Sequence, residues 1–250
     1  MRSDDGSEPQ HYKTVYETRT FLSFHVREAA LQALLPPGWS IASNPIGADA
    51  GANLRFGLSD QFAAVSPNGA PVEVTRFCPI TVPTRRTSDA ASQLHRIAIG
   101  YWSNARAREP MRQSEVAAIL QEGNIRPPDR VEIESEIRTE STGATMGRQR
   151  WLFSSPQAQE IAAEFVWTRG DLVRDTEQFW VMSPAIGQSF RRYQIEKVED
   201  VVFSVPLGID RRRSMSYRTA GPMLAGLFDG SEKLVSVVVQ TFGRREIYLY

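Results

Sequence analysis

Chemistry at neutral pH needs side chains that titrate, attack or hold a metal, and this 250-residue chain has few of the usual ones. It carries three histidines, His11, His25 and His95, and one cysteine, Cys78. The histidines show no HExxH or HxH spacing, so no protein-built metal site is expected. Cys78 has no histidine near it in sequence and reads as a small buried apolar residue. No GxGxxG follows a strand, no P-loop run is present to cradle phosphates, and no GxSxG forms a nucleophile elbow. No metal and no organic cofactor is implied. Of the 29 basic residues only Lys13, Lys197 and Lys233 are lysines, leaving 26 arginines. Amine chemistry therefore has three donors, while planar, permanently charged guanidinium groups abound.

Charge and composition limit the partners. The 29 basic residues balance 29 acidic ones, so no global field holds nucleic acid or an anionic membrane. A lone cysteine with no disulfide partner suits the reducing cytoplasm. Apolar runs such as 235–239 are strand length, far short of the roughly 20 residues that span a bilayer. Residues 1–12 are acidic and polar and read as a flexible tail. No repeat or linker divides the remainder, so residues 13–250 are expected to form a single domain.

Several elements are legible. Residues 14–26 are rich in β-branched and aromatic residues and read as a strand, and 27–35 as a helix stopped by Pro36, Pro37 and Gly38. Loops surround a strand at 53–58. The segment 72–83 looks extended, with Pro79 and Pro83 placing it at an edge or a strand end. Residues 95–102 read as a strand and 114–123 as a helix. At 131–137 apolar and glutamate positions alternate, which predicts one buried and one wet face, and 146–153 returns as its hairpin partner. Residues 156–168 suit a helix begun at Ser155 and Pro156 or, by the end of the segment, a strand, and the reading leans to strand. Further strands are expected at 178–182, 193–205, 234–242 and 246–250, with a short helix near Pro222. The sum is about nine or ten strands with two or three short helices, a mixed but mainly antiparallel β domain of barrel or sandwich type.

The ordered set of segments resembles the acetoacetate decarboxylase family over most of the chain. The opening strand with REAALQALLPPGW is similar to the strand, short helix and proline exit near that family's start. ANLRF resembles the next strand, and RIAIGYWSNARAREP falls where the family has a glycine-containing strand running into a twin-lysine turn. SPAIGQSFRRYQIEKVEDV and GPMLAGLFDGSEKLVSVVV keep the order and spacing of its C-terminal half. The resemblance implies an α+β, mainly antiparallel fold: a cone-shaped β-barrel with a few short helices, enclosing a largely apolar pocket, in a subunit that forms homo-oligomers. It also implies, for active members, a lysine whose pKa is depressed by a neighbouring lysine and which forms a Schiff base with a 3-oxo acid.

The twin-lysine region departs from that pattern. Counted from Ala98-Ile99-Gly100, the pair falls at Arg108 and Glu109, or at Ser103 and Asn104 under a shorter spacing, and neither register holds a lysine. A guanidinium with pKa above about 12 stays protonated and is no nucleophile, so Schiff-base decarboxylation is not expected. Lys13 in the polar tail, Lys197 on a strand face read as solvated, and Lys233 after a loop read as surface lysines. Arg108 could hold the carboxylate of a small-molecule ligand by two parallel hydrogen bonds, with Glu109 pairing with it or serving as acid or base. The alternative is a surface pair. Arg19, in the first strand, lies near the family's substrate-facing arginine, against the alternative of a solvated strand residue. Glu73 is the carboxylate nearest the family's pocket glutamate, or it faces water. Tyr101 lines the cavity or packs in the core. His25 reads as a hydrogen-bonded structural residue, and 211–213 as a solvated basic loop. The functional expectation is an enzyme acting on a small oxo- or hydroxy-carboxylic acid in a lyase, hydratase or hydrolase-type step. The alternative is a non-catalytic small-molecule binding or carrier protein using the same pocket.

Overall fold

The computed structural model describes residues 10–88, 94–104, 130–154, 159–182 and 190–249. Its first strand, β1 (Gln10–His25), shows why the rest assembles as it does. Side chains alternate across a strand, and β1 buries both sides: Leu22 and Phe24 on one, Glu17, Arg19 and Ser23 on the other. Such a strand has to be central. It pairs antiparallel with β13 (Lys233–Leu249) on one flank and β3 (Leu54–Val65) on the other.

The larger sheet continues through β4 (Arg76–Arg86), β5 (His95–Ser103) and β9 (Val173–Met182) beyond β3. Beyond β13 lie β10 (Phe190–Ser204) and β11 (Ile209–Asp210), and the short β2 (Trp39–Ile41) pairs with β4. Strand β9 also pairs with β10 from Phe190↔Met182 to Glu199↔Val173, while it meets β5 through a parallel pair, Arg96↔Val181. A second sheet has the order β12-β8-β7-β6, with β6 Arg130–Thr139, β7 Thr145–Ser154, β8 Glu160–Thr168 and β12 Arg212–Ala220. Helices are α1 (Glu28–Gln32) and α2 (Pro222–Ala225). No described helix is long and apolar enough to cross a membrane.

The core lies between the sheets. Trp151, Phe153, Phe165 and Trp167 of the smaller sheet cluster with Leu22, Phe24, Phe56 and Val237 of the larger, each burial contributing about 1.5–3 kcal/mol. Buried polar pins fix the two sheets in register. Thr20 Oγ1 donates to Gln149 Oε1, which also accepts Trp151 Nε1 at 3.1 Å. Asp200, fully buried, accepts Trp167 Nε1 at 2.9 Å and Arg211 Nη1 at 2.9 Å.

The structure differs from the sequence reading in several places. Strand β3 runs to Val65 instead of ending at 58, because pairing with β1 extends to Thr14↔Val65 and overrides weak local propensity. Strand β4 is internal, not an edge. Pro79, which lacks an N–H, sits where the ladder to β3 skips Gly57 and Leu58, between Phe56↔Ile80 and Ser59↔Phe77. The two strands expected at 234–242 and 246–250 are one, with Gly243 inside it opposite Glu17. In β6, Val131 and Ile133 pack on the core, but Ile137 is 47% exposed, so the buried face ends early. Arg212 and Arg213 lie in β12, and Arg211 pairs with buried Asp200, so 211–213 is no solvated loop. The expected helix at 114–123 lies outside the described residues.

Gly147 sits opposite Trp167, and a Cβ there would lie 2.2 Å from the indole Cζ2. Gly147→Ala should therefore lower stability by about 1–3 kcal/mol, the usual scale of overpacking, as read from urea unfolding. An unchanged midpoint would show that the buried indole has room to move.

Candidate functional site

Residues directly opposed in an antiparallel ladder share a face, so the register itself traces what lies on the side of the larger sheet turned away from the core. One row runs Glu199, Gln240, Arg19, Ser59, Phe77, Ser103 across β10, β13, β1, β3, β4 and β5. A second runs Ser236, Ser23, Arg55, Thr81, Ala98. Between them lie Val238, Phe21 and Gly57. This inner face is largely polar and charged.

At one end, Glu17 has no exposed surface and is reached by two guanidinium groups. Arg19 Nε lies 2.8 Å from Glu17 Oε1, and Arg245 brings Nε to 3.1 Å from Oε1 while Nη2 donates to Oε2 at 3.1 Å. Both guanidinium carbons sit 5.5 Å from the centre of the Phe77 ring, which the two cations share. Gly243 permits the arrangement, because a Cβ there would lie 1.8 Å from Gln240 Nε2.

At the other end, Arg55 Nη2 pairs with Asp49 Oδ2, which also accepts Asn44 Nδ2 at 2.7 Å. Arg96 Nη2 donates to Asn44 Oδ1 at 3.3 Å. Burial, then the neighbouring Arg55 charge, push the Arg96 pKa down to about 10, so it remains a cation at neutral pH. Arg55 pairs with Asp49 directly, Arg96 is linked to it through Asn44, and both guanidinium groups also act on Glu177. The Phe21 ring separates the ends, 6.0 Å from Arg19 Cζ and 5.0 Å from Arg55 Cζ.

A third cluster joins β9 and β10. Lys197 Nζ lies 3.1 Å from Glu177 Oε2 and 3.2 Å from Glu199 Oε2, and its side chain is only 14% exposed. The reading of Lys197 as a solvated surface lysine is therefore corrected: Asp175, Glu177 and Glu199, projected from the paired strands, surround it. Burial disfavours the ammonium, but Glu177 and Glu199 overcome that and hold its pKa above the ordinary lysine value. The two carboxylates then part company. Burial raises Glu199, and Lys197 only partly offsets it. Burial acts against Glu177 as well, but Lys197, Arg55 and Arg96 outweigh it and hold its pKa low. Two neighbouring carboxylates whose environments drive their pKa values apart are the usual signature of an acid and base assignment.

Of the residues singled out in sequence, Arg19 is buried on this face, ion-paired to Glu17. Tyr101 stands in β5 opposite Pro79. Glu73 is exposed on the segment between β3 and β4. Arg108 and Glu109 lie outside the described residues. Under the shorter spacing, Ser103 occupies the inner row beside Phe77, and Asn104 is exposed, its Oδ1 accepting the Arg76 N–H at 2.7 Å. Lys13 is buried in β1 instead of lying in a loose tail, and Lys233 is exposed. Cys78 is buried among core residues, and burial raises its thiol pKa far out of reach. His25 is exposed and hydrogen-bonds the Gly51 carbonyl at 3.1 Å. Sequence reasoning missed Glu17, Arg55, Arg96, Glu177, Glu199 and Arg245. A signal existed for some: Glu17-x-Arg19 and Lys197-x-Glu199 place opposite charges two apart, on one face of a strand.

No known sequence family and no curated protein matches the chain. Among solved structures it is similar to MppR, an enduracididine biosynthesis enzyme complexed with the condensation product of pyruvate and imidazole 4-carboxaldehyde. The TM-score is 0.50 at 12% identity, over 98% of this chain and 91% of that one. An acetoacetate decarboxylase-like enzyme from Sphingomonas wittichii RW1 matches with a TM-score of 0.47 at 11% identity, over 98% and 94% of the two chains. The acetoacetate decarboxylase of Legionella pneumophila matches with 0.47 at 10%, over 96% and 84%. The chain shares its overall fold with MppR.

The electrostatics of the third cluster can be tested by stability. Glu177 has a folded pKa below its ordinary value, so its contribution is present above that value and is lost as pH falls through the folded one. Glu199 is the reverse: its neutral form is favoured, and that contribution is lost as pH rises through the raised value. At pH 7, Glu177→Gln should destabilise by about 1 kcal/mol, the scale of a half-exposed pair, whereas Glu199→Gln should leave Tm unchanged or raised. Equal losses in the two variants would refute the split.

Proposed function

We propose that this protein is an acetoacetate decarboxylase-like enzyme that acts on a small oxo- or hydroxy-carboxylic acid without a Schiff-base lysine. The observation that carries the reading is the inner face itself. Five cationic groups (Arg19, Arg55, Arg96, Lys197 and Arg245) there meet the carboxylates of Glu17, Asp49, Asp175, Glu177 and Glu199, and burial raises the Glu199 pKa. Arginine forks suit a carboxylate by geometry as well as charge. Glu199, on the same face and directly across Gln240 from Arg19, is the group to give a proton to the carbonyl or hydroxyl oxygen of a carboxylate held there. The ammonium of Lys197 steadies Glu177 and is held away from the neutral form a nucleophile requires.

In this reading the pairings that lead from β10 round to β9 and back form the cone-shaped barrel, and Phe21, Phe77 and Val238 are apolar wall between its charged groups. The resemblance supports Arg108 and Glu109 as further ligand-binding and acid–base residues, with Tyr101 lining the site. It also supports a homo-oligomeric, cytoplasmic protein. A second reading, a carrier that binds the acid and returns it unchanged, draws on Ser103 standing where a lysine would act and on the ammonium character of Lys197.

Borohydride reduction in the presence of acetoacetate or pyruvate, followed by intact-protein mass spectrometry, should give no adduct, and an adduct at Lys197 would overturn the lysine-independent mechanism. With an acid that is turned over, Glu199→Gln should lower kcat by about 100- to 10,000-fold, the range of a lost general acid or base, with KM little changed. The wild-type rate should fall as pH rises through the raised Glu199 pKa. Tight binding without any chemical change in the bound acid would select the carrier reading.

A further inference from the structure

Gln240 stands between the two residues to which the proposed chemistry gives the carboxylate and the proton. Glu199, Gln240 and Arg19 oppose one another directly on β10, β13 and β1. Neighbouring strands lie about 4.7–4.9 Å apart, so the backbones at Glu199 and Arg19 are about 10 Å apart, with Gln240 midway. A small acid that touches both therefore passes over Gln240.

The strand β13 is irregular at this point, on both flanks. Along β1 the pairing passes from Arg19↔Gln240 to Glu17↔Gly243, and along β10 it passes from Glu199↔Gln240 to Val198↔Phe242. Both ladders lose step with β13 immediately after Gln240. Residues three apart face opposite sides of a regular strand, and the bulge returns Gln240 and Gly243 to one face, opposite Arg19 and Glu17. Bulges re-aim side chains in this way. The glycine then leaves a place for the amide: a Cβ at 243 would lie 1.8 Å from Gln240 Nε2 and 2.9 Å from its Cδ.

The group so placed makes no bond for the fold. Gln240 is 1% exposed, and its Nε2 has no hydrogen-bond partner among the described residues. Buried donors are almost always paired, so a bulge and a glycine that together hold an unused one beside Arg19 point to an acceptor supplied from outside the chain. A carboxamide donates without giving up a proton and carries no charge. It suits a carbonyl or hydroxyl oxygen, and for a carboxylate at Arg19 the oxygen within its reach is the one on the adjoining carbon.

Resting on the function proposed above, we infer that Gln240 is the specificity-determining residue of that site. Its Nε2 donates to the oxo or hydroxy oxygen on the carbon next to the carboxylate held at Arg19, and it thereby selects 2-oxo and 2-hydroxy acids over acids lacking that oxygen. It also fixes the oxygen on the row that leads to Glu199. Gly243 is a positioning residue, acting only through the space it leaves for the amide.

The test uses pyruvate and propanoate, both monoanions at neutral pH that differ at the carbon next to the carboxylate, titrated calorimetrically against the full chain. Pyruvate should bind more tightly by about 3- to 10-fold, the size of one hydrogen bond between neutral groups. Gln240→Leu should bring that ratio close to one with propanoate affinity unchanged, and it should keep or raise the melting temperature because it removes an unpaired buried donor. Gly243→Ala, whose methyl group takes the place of the amide, should lower the ratio in the same way and carries the test if the leucine variant does not fold. A pyruvate preference that survives in these variants, or none in the wild type, would overturn the role of Gln240 and leave carboxylate binding standing. Binding of neither acid would overturn both.

Discussion

A carboxylate with no exposed surface can stay ionised only if cations come to it, and Glu17 obtains one from its own strand and one from 228 residues away. Removing either partner would strand a buried charge, a loss on the order of 3–5 kcal/mol. The ion triad is therefore a constraint on the whole larger sheet, because Arg245 reaches Glu17 only when β13 pairs with β1 in the observed register. A slip by one residue would turn Glu17 and Arg19 into the apolar core and Leu22 and Phe24 onto the charged face. The sheet's register and the polarity of its inner face are one decision.

That decision also explains the lopsided use of basic residues. A face shared by several buried cations needs groups that stay charged in low dielectric, stack on rings and bond in fixed directions, and guanidinium does all three where ammonium does not. Arg19 and Arg245 share the Phe77 ring, and Arg55 lies against Phe21. Arg96, even with burial and Arg55 against it, is pushed only to about 10. Lys197 keeps its proton by a different route, with Glu199 on its own strand and Glu177 on the paired β9 beside it.

The strands that alternate strongly were legible because their pattern is local. Strands β5, β6 and β7 could be placed from branched and aromatic residues and turn signals alone, whereas β8 falls in a segment whose local signals also suit a helix. What escaped depends on contacts distant in sequence. The second half of β3 is held by pairing with β1, and β13 runs through Gly243 because both of its neighbours continue past it. The site suffered most for the same reason. Arg19 could be picked out by resemblance, but nothing local says that Arg55, Arg96 and Arg245 share its face, or that a lysine in a polar run is enclosed by glutamates from the paired strand. Glu73 drew notice through its position in the chain, whereas it is the β10 residue Glu199 that lies in the charged row.

The cluster around Lys197 shows how surroundings decide which form of an amine is favoured. An amine becomes a nucleophile only when its environment favours the neutral form, and a neighbouring cation achieves that. Around Lys197 the opposite has been built: Glu177 and Glu199 favour the ammonium over the cost of burial. The charge that holds this proton is not lost to the protein, because it divides the two glutamates, lowering one and leaving the other raised. The cluster that holds Lys197 as its ammonium thus leaves one carboxyl group with a raised pKa beside another with a lowered one.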